Sequence, residues 1–210
     1  MVQYKNEKGF IVNAKMNIRP FVNMFLEEVS KYYDVLVYTA SDKEYATAVV
    51  LHMDPDRTFI KKILHRRHCV KTEKGFTVKN LKIVTGNEDV SKVILVDNST
   101  HCFAPQINNG IPILPFYYDS SDEELIKLSS FLIKLKDFDE PSLILRQYFG
   151  LCQYTKFATT ANLVTHLSDK HSFGRPEVKS IGKSAVFGQD TSNNRQITSS
   201  SRFKNDRLKI

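Results

Sequence analysis

Cysteine is scarce in this chain, and long apolar runs are missing from it. The three cysteines, Cys69, Cys102 and Cys152, are odd in number and widely spaced, which argues against a disulfide framework and suits a reducing compartment. No run approaches the ~18 apolar residues that a membrane-spanning helix needs. The opening MVQYKNEKGF lacks the apolar core of a secretory leader, and no internal repeat is visible. Residues 1–150 also lack net charge, with 20 Lys and Arg against 19 Asp and Glu. The formal +7 comes almost wholly from residues 151–210, where 10 basic side chains face 4 acidic ones. The globular part therefore carries no electrostatic footprint for DNA. The basic end is open to plain solvation, nucleic acid, an acidic partner or anionic lipid.

What is present suits one globular domain with material left over, at 41% hydrophobic and 25% charged residues. Phe10 to Val12, after the turn Glu7-Lys8-Gly9, reads as one arm of a hairpin leading to Arg19-Pro20. From Pro20, Val22, Phe25, Leu26, Val29 and Tyr33 recur at helical spacing, with Glu27, Glu28 and Lys31 opposite. Asp34 to Tyr38 is a short buried strand, and a second helix is predicted from Asp42 through His52, broken at Asp54-Pro55-Asp56. Phe59 to Leu64, Phe76 to Val78 and Lys92 to Val96 read as strands, and Ile111 to Leu114, with Pro112 inside it, as a short outer one. Ser121-Asp122-Glu123-Glu124 has the form of a capping box. The helix after it should turn Leu125, Leu128, Leu132 and Leu135 inward. Alternating strands and helices predict an α/β fold with a mostly parallel sheet. From Ser172 onward apolar residues are too few to offset chain entropy, so 172–210 is expected to be a disordered basic tail.

Two strands end in small polar or acidic residues, VYTAS at Val37 to Ser41 and ILVDNS at Ile94 to Ser99, as when a parallel sheet delivers chemistry at its carboxyl ends. Taken singly, each residue has a plainer role. Thr39 could cap the following helix, Lys79 and Arg66 could be solvated charges, and Asp97-Asn98 could be turn chemistry or metal ligands. His101, Cys69 and Cys102 are assigned to packing or surface.

In combination, Arg19-Pro20, Val37 to Ser41, Arg66 ahead of Cys69, Val78-Lys79-Asn80-Leu81, Val96 to Ser99 and Asn109 to Ile113 resemble the small C-terminal-domain phosphatases of the haloacid dehalogenase superfamily. The resemblance implies a haloacid-dehalogenase-like Rossmannoid sheet over residues 1–140. It implies a magnesium-dependent protein serine/threonine phosphatase working through an aspartyl-phosphate, with a phosphoserine or phosphothreonine protein, such as an RNA polymerase C-terminal repeat, as substrate. By the same resemblance Thr39 would donate to a phosphate oxygen and Lys79 would neutralise phosphoryl charge. Asp97 and Asn98 would order magnesium, and Arg66 would face the substrate. The compartment is not fixed by these residues, with an intracellular, nuclear or cytoplasmic location favoured over a mitochondrial one.

The family's nucleophile motif, Asp-x-Asp-x-Thr after an apolar strand, is due well ahead of Arg19-Pro20, so the chain is expected to be truncated, to miss the nucleophile strand of its sheet and to be inactive by itself. Asp34 and Asp42 come nearest and match other family positions. A second reading keeps the scaffold as a non-catalytic phosphoprotein-binding or translocase-receptor-like module. A third is a zinc-dependent nucleic-acid binder in residues 141–171, read as a linker with a degenerate zinc-finger remnant: Cys152, His166 and His171 resemble the second half of a BED-type finger. With Phe149 where another cysteine belongs, neither zinc nor nucleic acid is an expected ligand. Purified protein should accordingly contain substoichiometric zinc by atomic absorption, unchanged in His166→Ala; a full equivalent of zinc lost in that variant would reinstate the finger.

Overall fold

The computed structural model describes residues 1–86, 89–149 and 208–210. Strands β1 (Val2–Lys5) and β2 (Ile11–Ala14) form an antiparallel hairpin. Asn6 shapes its turn by accepting the backbone N–H groups of Lys8 and Phe10 on its side-chain oxygen, both at 3.0 Å. Helix α1 (Val22–Val29) leads to β3 (Tyr33–Tyr38), and α2 (Lys43–Met53) to β4 (Ile60–Leu64), which lies parallel to β3. A 3-10 turn at Arg66–His68 enters a second small hairpin, β5 (Val70–Lys71) and β6 (Thr77–Val78). The short α3 (Lys82–Thr85) follows, then β7 (Leu95–Asp97), 3-10 turns over Thr100–Asn109, and β8 (Gly110–Pro112) parallel to β7. Helices α4 (Glu124–Leu135) and α5 (Pro141–Tyr148) complete the domain, and β9 (Leu208–Lys209) adds to β3 in parallel.

The α/β architecture agrees with the alternation in the sequence, and the predicted stripe of α4 is buried at all four leucines. These join Leu26 and Val29 of α1, Tyr33 and Val35 of β3, Ile60 of β4 and Ile144 and Leu145 of α5 in the main core. One local expectation fails. The capping box does not form: Ser121 Oγ donates to Asp119 at 2.7 Å, and it is Asp122 that accepts the Glu124 N–H at 3.0 Å. Asp122 is held in that position by Arg19, whose guanidinium donates to both carboxylate oxygens at 2.8 and 2.9 Å and to the Leu114 carbonyl at 2.7 Å. A bidentate clamp to an arginine outcompetes a serine hydroxyl as the local organiser, and it joins the entrance of α1 to the entrance of α4.

Gly110 is required by packing. A Cβ there would run into the ring of the fully buried Phe103. Beside it the buried Asn109 donates its amide N–H groups to the carbonyls of Val90 and Val93, at 2.7 and 2.8 Å, fixing the approach to β7.

Asp54, at the end of α2, is 3% exposed and accepts the backbone N–H groups of Thr58, Phe59 and Ile60 at 2.9, 2.9 and 2.7 Å. Burial alone would raise its pKa, but these three donors outweigh that cost and hold it below its ordinary 3.8. A depressed carboxylate stabilises the fold above its unfolded pKa and loses that contribution as pH falls through the folded value. Asp54→Ala, which orphans three donors, is expected to cost roughly 2–4 kcal/mol in urea unfolding. The difference from wild type should shrink as the pH is taken below the folded pKa.

Candidate phosphate site

The carboxyl ends of β3 and β7 carry the site. Val37 and Val96 are partly buried against the main core, so each strand is anchored just before it releases a polar residue. At the end of β7, Asp97 is 8% exposed and forms a buried ion pair with Lys79 Nζ, which lies just past β6 and is 7% exposed. The other Asp97 oxygen accepts the Ser99 N–H at 2.7 Å, and the Asp97 carbonyl accepts the Ile113 N–H at 3.2 Å. Lys79 is fixed from its own backbone, whose N–H donates to the Cys102 carbonyl at 2.7 Å. Its ammonium also lies 5.7 Å from the centre of the Tyr38 ring. Burial raises the Tyr38 hydroxyl to a pKa of about 12, so it stays a neutral donor, to the His68 carbonyl at 2.6 Å.

The loop after β3 forms the second wall. Thr39 N–H donates to the Leu64 carbonyl at 2.8 Å, and its Oγ1 accepts the Ser41 N–H at 3.1 Å. The hydroxyl thus shapes the turn before α2 and leaves its proton free to donate outward. It does not cap the helix: Asp42 holds the cap position of α2 without a side-chain bond. Arg66 folds onto the same loop. Its Nε donates to the Ala40 carbonyl at 2.8 Å, its backbone N–H to the Ser41 carbonyl at 2.9 Å, and it pairs with Asp42 at 2.9 Å. Both side chains of that pair are more than half exposed, so the guanidinium can be drawn to a stronger anion at little cost.

Cys69 joins the two walls, since its thiol lies 3.6 Å from the Thr39 carbonyl and feels the charges of both Lys79 and Asp97. Burial raises its pKa, and burial pushes the Cys102 thiol up to about 12. Both are therefore protonated packing groups. His101 sits against Phe76 with its pKa lowered by burial.

Of the residues picked from sequence, Thr39 and Arg66 share one loop and Lys79 and Asp97 one ion pair. Asn98 is exposed beside Asp97. Cys152, His166 and His171 lie outside the described residues. The donor set does not make a magnesium site by itself. Both Asp97 oxygens are engaged, Asn98 offers one amide oxygen, and among the described residues no group of three or more His, Cys, Asp or Glu converges.

Sequence reading passed over a literal Asp-x-Asp-x-Thr string at Asp54 to Thr58. It stands between α2 and β4, at the amino end of the parallel pair, whereas Thr39 follows the carboxyl end. With Asp54 consumed by three backbone donors, the string is a structural turn and not a nucleophile motif. The Pro-containing break in the helical pattern was the available signal for that turn.

Comparison with known proteins finds a matching family. The model of the NLI interacting factor-like phosphatase family matches residues 1–142. The chain is 39% identical over 117 residues to CTD small phosphatase-like protein 3 of Caenorhabditis elegans, covering 56% of this chain and 40% of that protein. It is 36% identical over 118 residues to CTD nuclear envelope phosphatase 1B of Danio rerio, covering 56% and 47%. The chain thus spans less than half the length of either relative. The solved structure of Fcp1, an essential RNA polymerase II CTD phosphatase, aligns at 18% identity over 80% of this chain and 50% of its own, with a TM-score of 0.47.

A buried ion pair broken on one side leaves the other charge stranded. Lys79→Met and Asp97→Leu should each cost about 3–5 kcal/mol in denaturant unfolding. The Lys79→Met/Asp97→Leu double variant should recover most of that loss, which a double-mutant cycle reads as strong coupling.

Proposed function

The chain belongs to the NLI interacting factor-like phosphatase family, and from that premise we propose that residues 1–142 form the phosphate-recognising part of a protein serine/threonine phosphatase domain that does not hydrolyse its ligand unaided. The observation that carries this reading is the Lys79–Asp97 pair, buried at the ends of two core-anchored elements. Withdrawing two charges from water is expensive, and hydrophobic residues of similar volume often replace a buried ion pair without loss of stability. A fixed, desolvated ammonium beside a polar loop is instead suited to an incoming phosphoryl group.

In the proposed pose the phosphate lies between Lys79 and the loop after β3. The Thr39 hydroxyl donates to one oxygen while its lone pair keeps the Ser41 N–H. Arg66 exchanges its exposed Asp42 partner for the phosphate or an acidic residue next to it. Phosphoserine and phosphothreonine both satisfy these contacts, because recognition falls on the phosphoryl oxygens.

Turnover needs an attacking carboxylate, and among the described residues the carboxylate paired with Lys79 is Asp97. Its oxygens are held by Lys79 and the Ser99 N–H, so it is an orienting group and a poor nucleophile. Magnesium stays an expectation of the family, and Asp97 and Asn98 are the residues that would contribute to its site. No helix among the described residues is long and apolar enough to cross a membrane.

A fluorescent phosphoserine peptide should bind the full chain, and the unphosphorylated peptide should bind at least tenfold more weakly. Arg66→Ala, which removes an exposed side chain, should weaken binding about three- to tenfold, in line with loss of one charge-assisted contact. An aryl phosphate with magnesium should release no phosphate above the protein-free rate. Equal binding of the two peptides would refute phosphate recognition, and magnesium-dependent release abolished by Asp97→Ala would refute the claim of inactivity.

A further inference from the structure

The parallel strands among the described residues fall into two groups, β4-β3-β9 and β7-β8. Between β3 and β7 lies an apolar cavity of about 240 Å³, lined by Val35 and Val37 on one side and Ile94 and Val96 on the other, with Leu128 of α4 and Ile210 also contributing. Central strands of a parallel sheet are buried on both faces and are apolar throughout, and the walls of this slot have that character.

One segment of the chain enters it. Leu208 and Lys209 pair in parallel register with Tyr33 and Asp34. The ladder continues through Ile210, whose N–H donates to the Asp34 carbonyl at 3.1 Å and whose main-chain oxygen accepts the Leu36 N–H at 2.6 Å. The Ile210 side chain packs against the main core. Parallel pairing needs a connection of about a dozen residues or more, and the chain between residues 149 and 208 exceeds that several-fold.

We propose that the slot between β3 and β7 is a strand-acceptor site and that residues 208–210 of this chain are its occupant, a removable strand that covers the β3 edge. Three observations converge on it: the parallel register, the paired backbone bonds on either side of Ile210, and the apolar walls continued by its side chain. Only a short strand is in place, so it is held by few bonds beside a larger apolar cavity. Such an element opens more readily than the β3–β4 ladder. The inference is independent of phosphate recognition, because none of the contacts involves Thr39, Lys79 or Asp97.

The test uses the full chain and reads backbone hydrogen exchange. The Leu36 amide should be protected in the wild type and should exchange on the order of tenfold faster in Ile210→Asp. The Thr39 amide, bonded to Leu64 of β4, should be unchanged and so report an intact fold. Adding the synthetic peptide Lys204–Ile210 in excess to the variant should restore Leu36 protection, and a scrambled peptide should not.

As a second route that does not require removing Ile210, Asp34→Cys/Lys209→Cys places thiols on register partners. Neighbouring strands lie about 4.8 Å apart, within disulfide reach, so mild oxidation should cross-link them within the monomer. Equal Leu36 exchange in wild type and variant, or no 34–209 cross-link, would overturn the proposal. Failure of the peptide to restore protection would overturn its removable character.

Discussion

A charge pair withdrawn from water cannot be left half made, and the Lys79–Asp97 pair imposes that condition on everything around it. Lys79 reaches Asp97 only if the β5–β6 hairpin is seated beside β7. The Lys79 N–H bond to the Cys102 carbonyl supplies that seat. Asp97 in turn needs β7 in register with β8, which the bond from the Ile113 N–H to its carbonyl continues past the strand end. Gly110 and Asn109 serve the same end, the first by admitting the Phe103 ring, the second by holding the carbonyls of Val90 and Val93. One ion pair thus draws on a hairpin, two strands and a run of 3-10 turns.

The other wall is organised by hydrogen bonds at partial exposure. Arg66 and the loop after β3 hold each other through backbone carbonyls and the Asp42 carboxylate. Cys69 and Tyr38 connect that loop to the buried pair. The two walls contrast: the ammonium is fixed in a dry setting where its charge counts most, while the guanidinium is more than half exposed. Opposite the site, the amino end of β4 is closed by Asp54, so the two edges of the parallel pair are built for different purposes.

Much of this was legible from residues. β-Branched runs marked β3 and β7, the leucine spacing marked α4, and a turn signal before Phe10 marked the first hairpin. Thr39 and Asp97 could be named because the polar residue following a buried strand is a local feature, readable as VYTAS or ILVDNS, and Lys79 and Arg66 through the family resemblance. Other features depended on contacts distant in sequence. Ser121 looked like a cap until Arg19, over a hundred residues earlier, took hold of Asp122. The string from Asp54 to Thr58 has the letters of a nucleophile motif and the geometry of a turn, because three neighbouring N–H groups claim the carboxylate first. The segment 208–210, read as part of a disordered tail, pairs with β3.

The sequence by itself determined the fold class, the family resemblance and the residue types of the site, since periodicity, strand-end chemistry and motif order are written along the chain. Tertiary structure alone decided that Lys79 meets Asp97, that Arg66 lies on the Thr39 loop, and that Asp54 is structural. The reason is physical: burial and partnership set what a charged group does, and both are properties of the neighbours that folding brings in, which one-dimensional spacing does not contain.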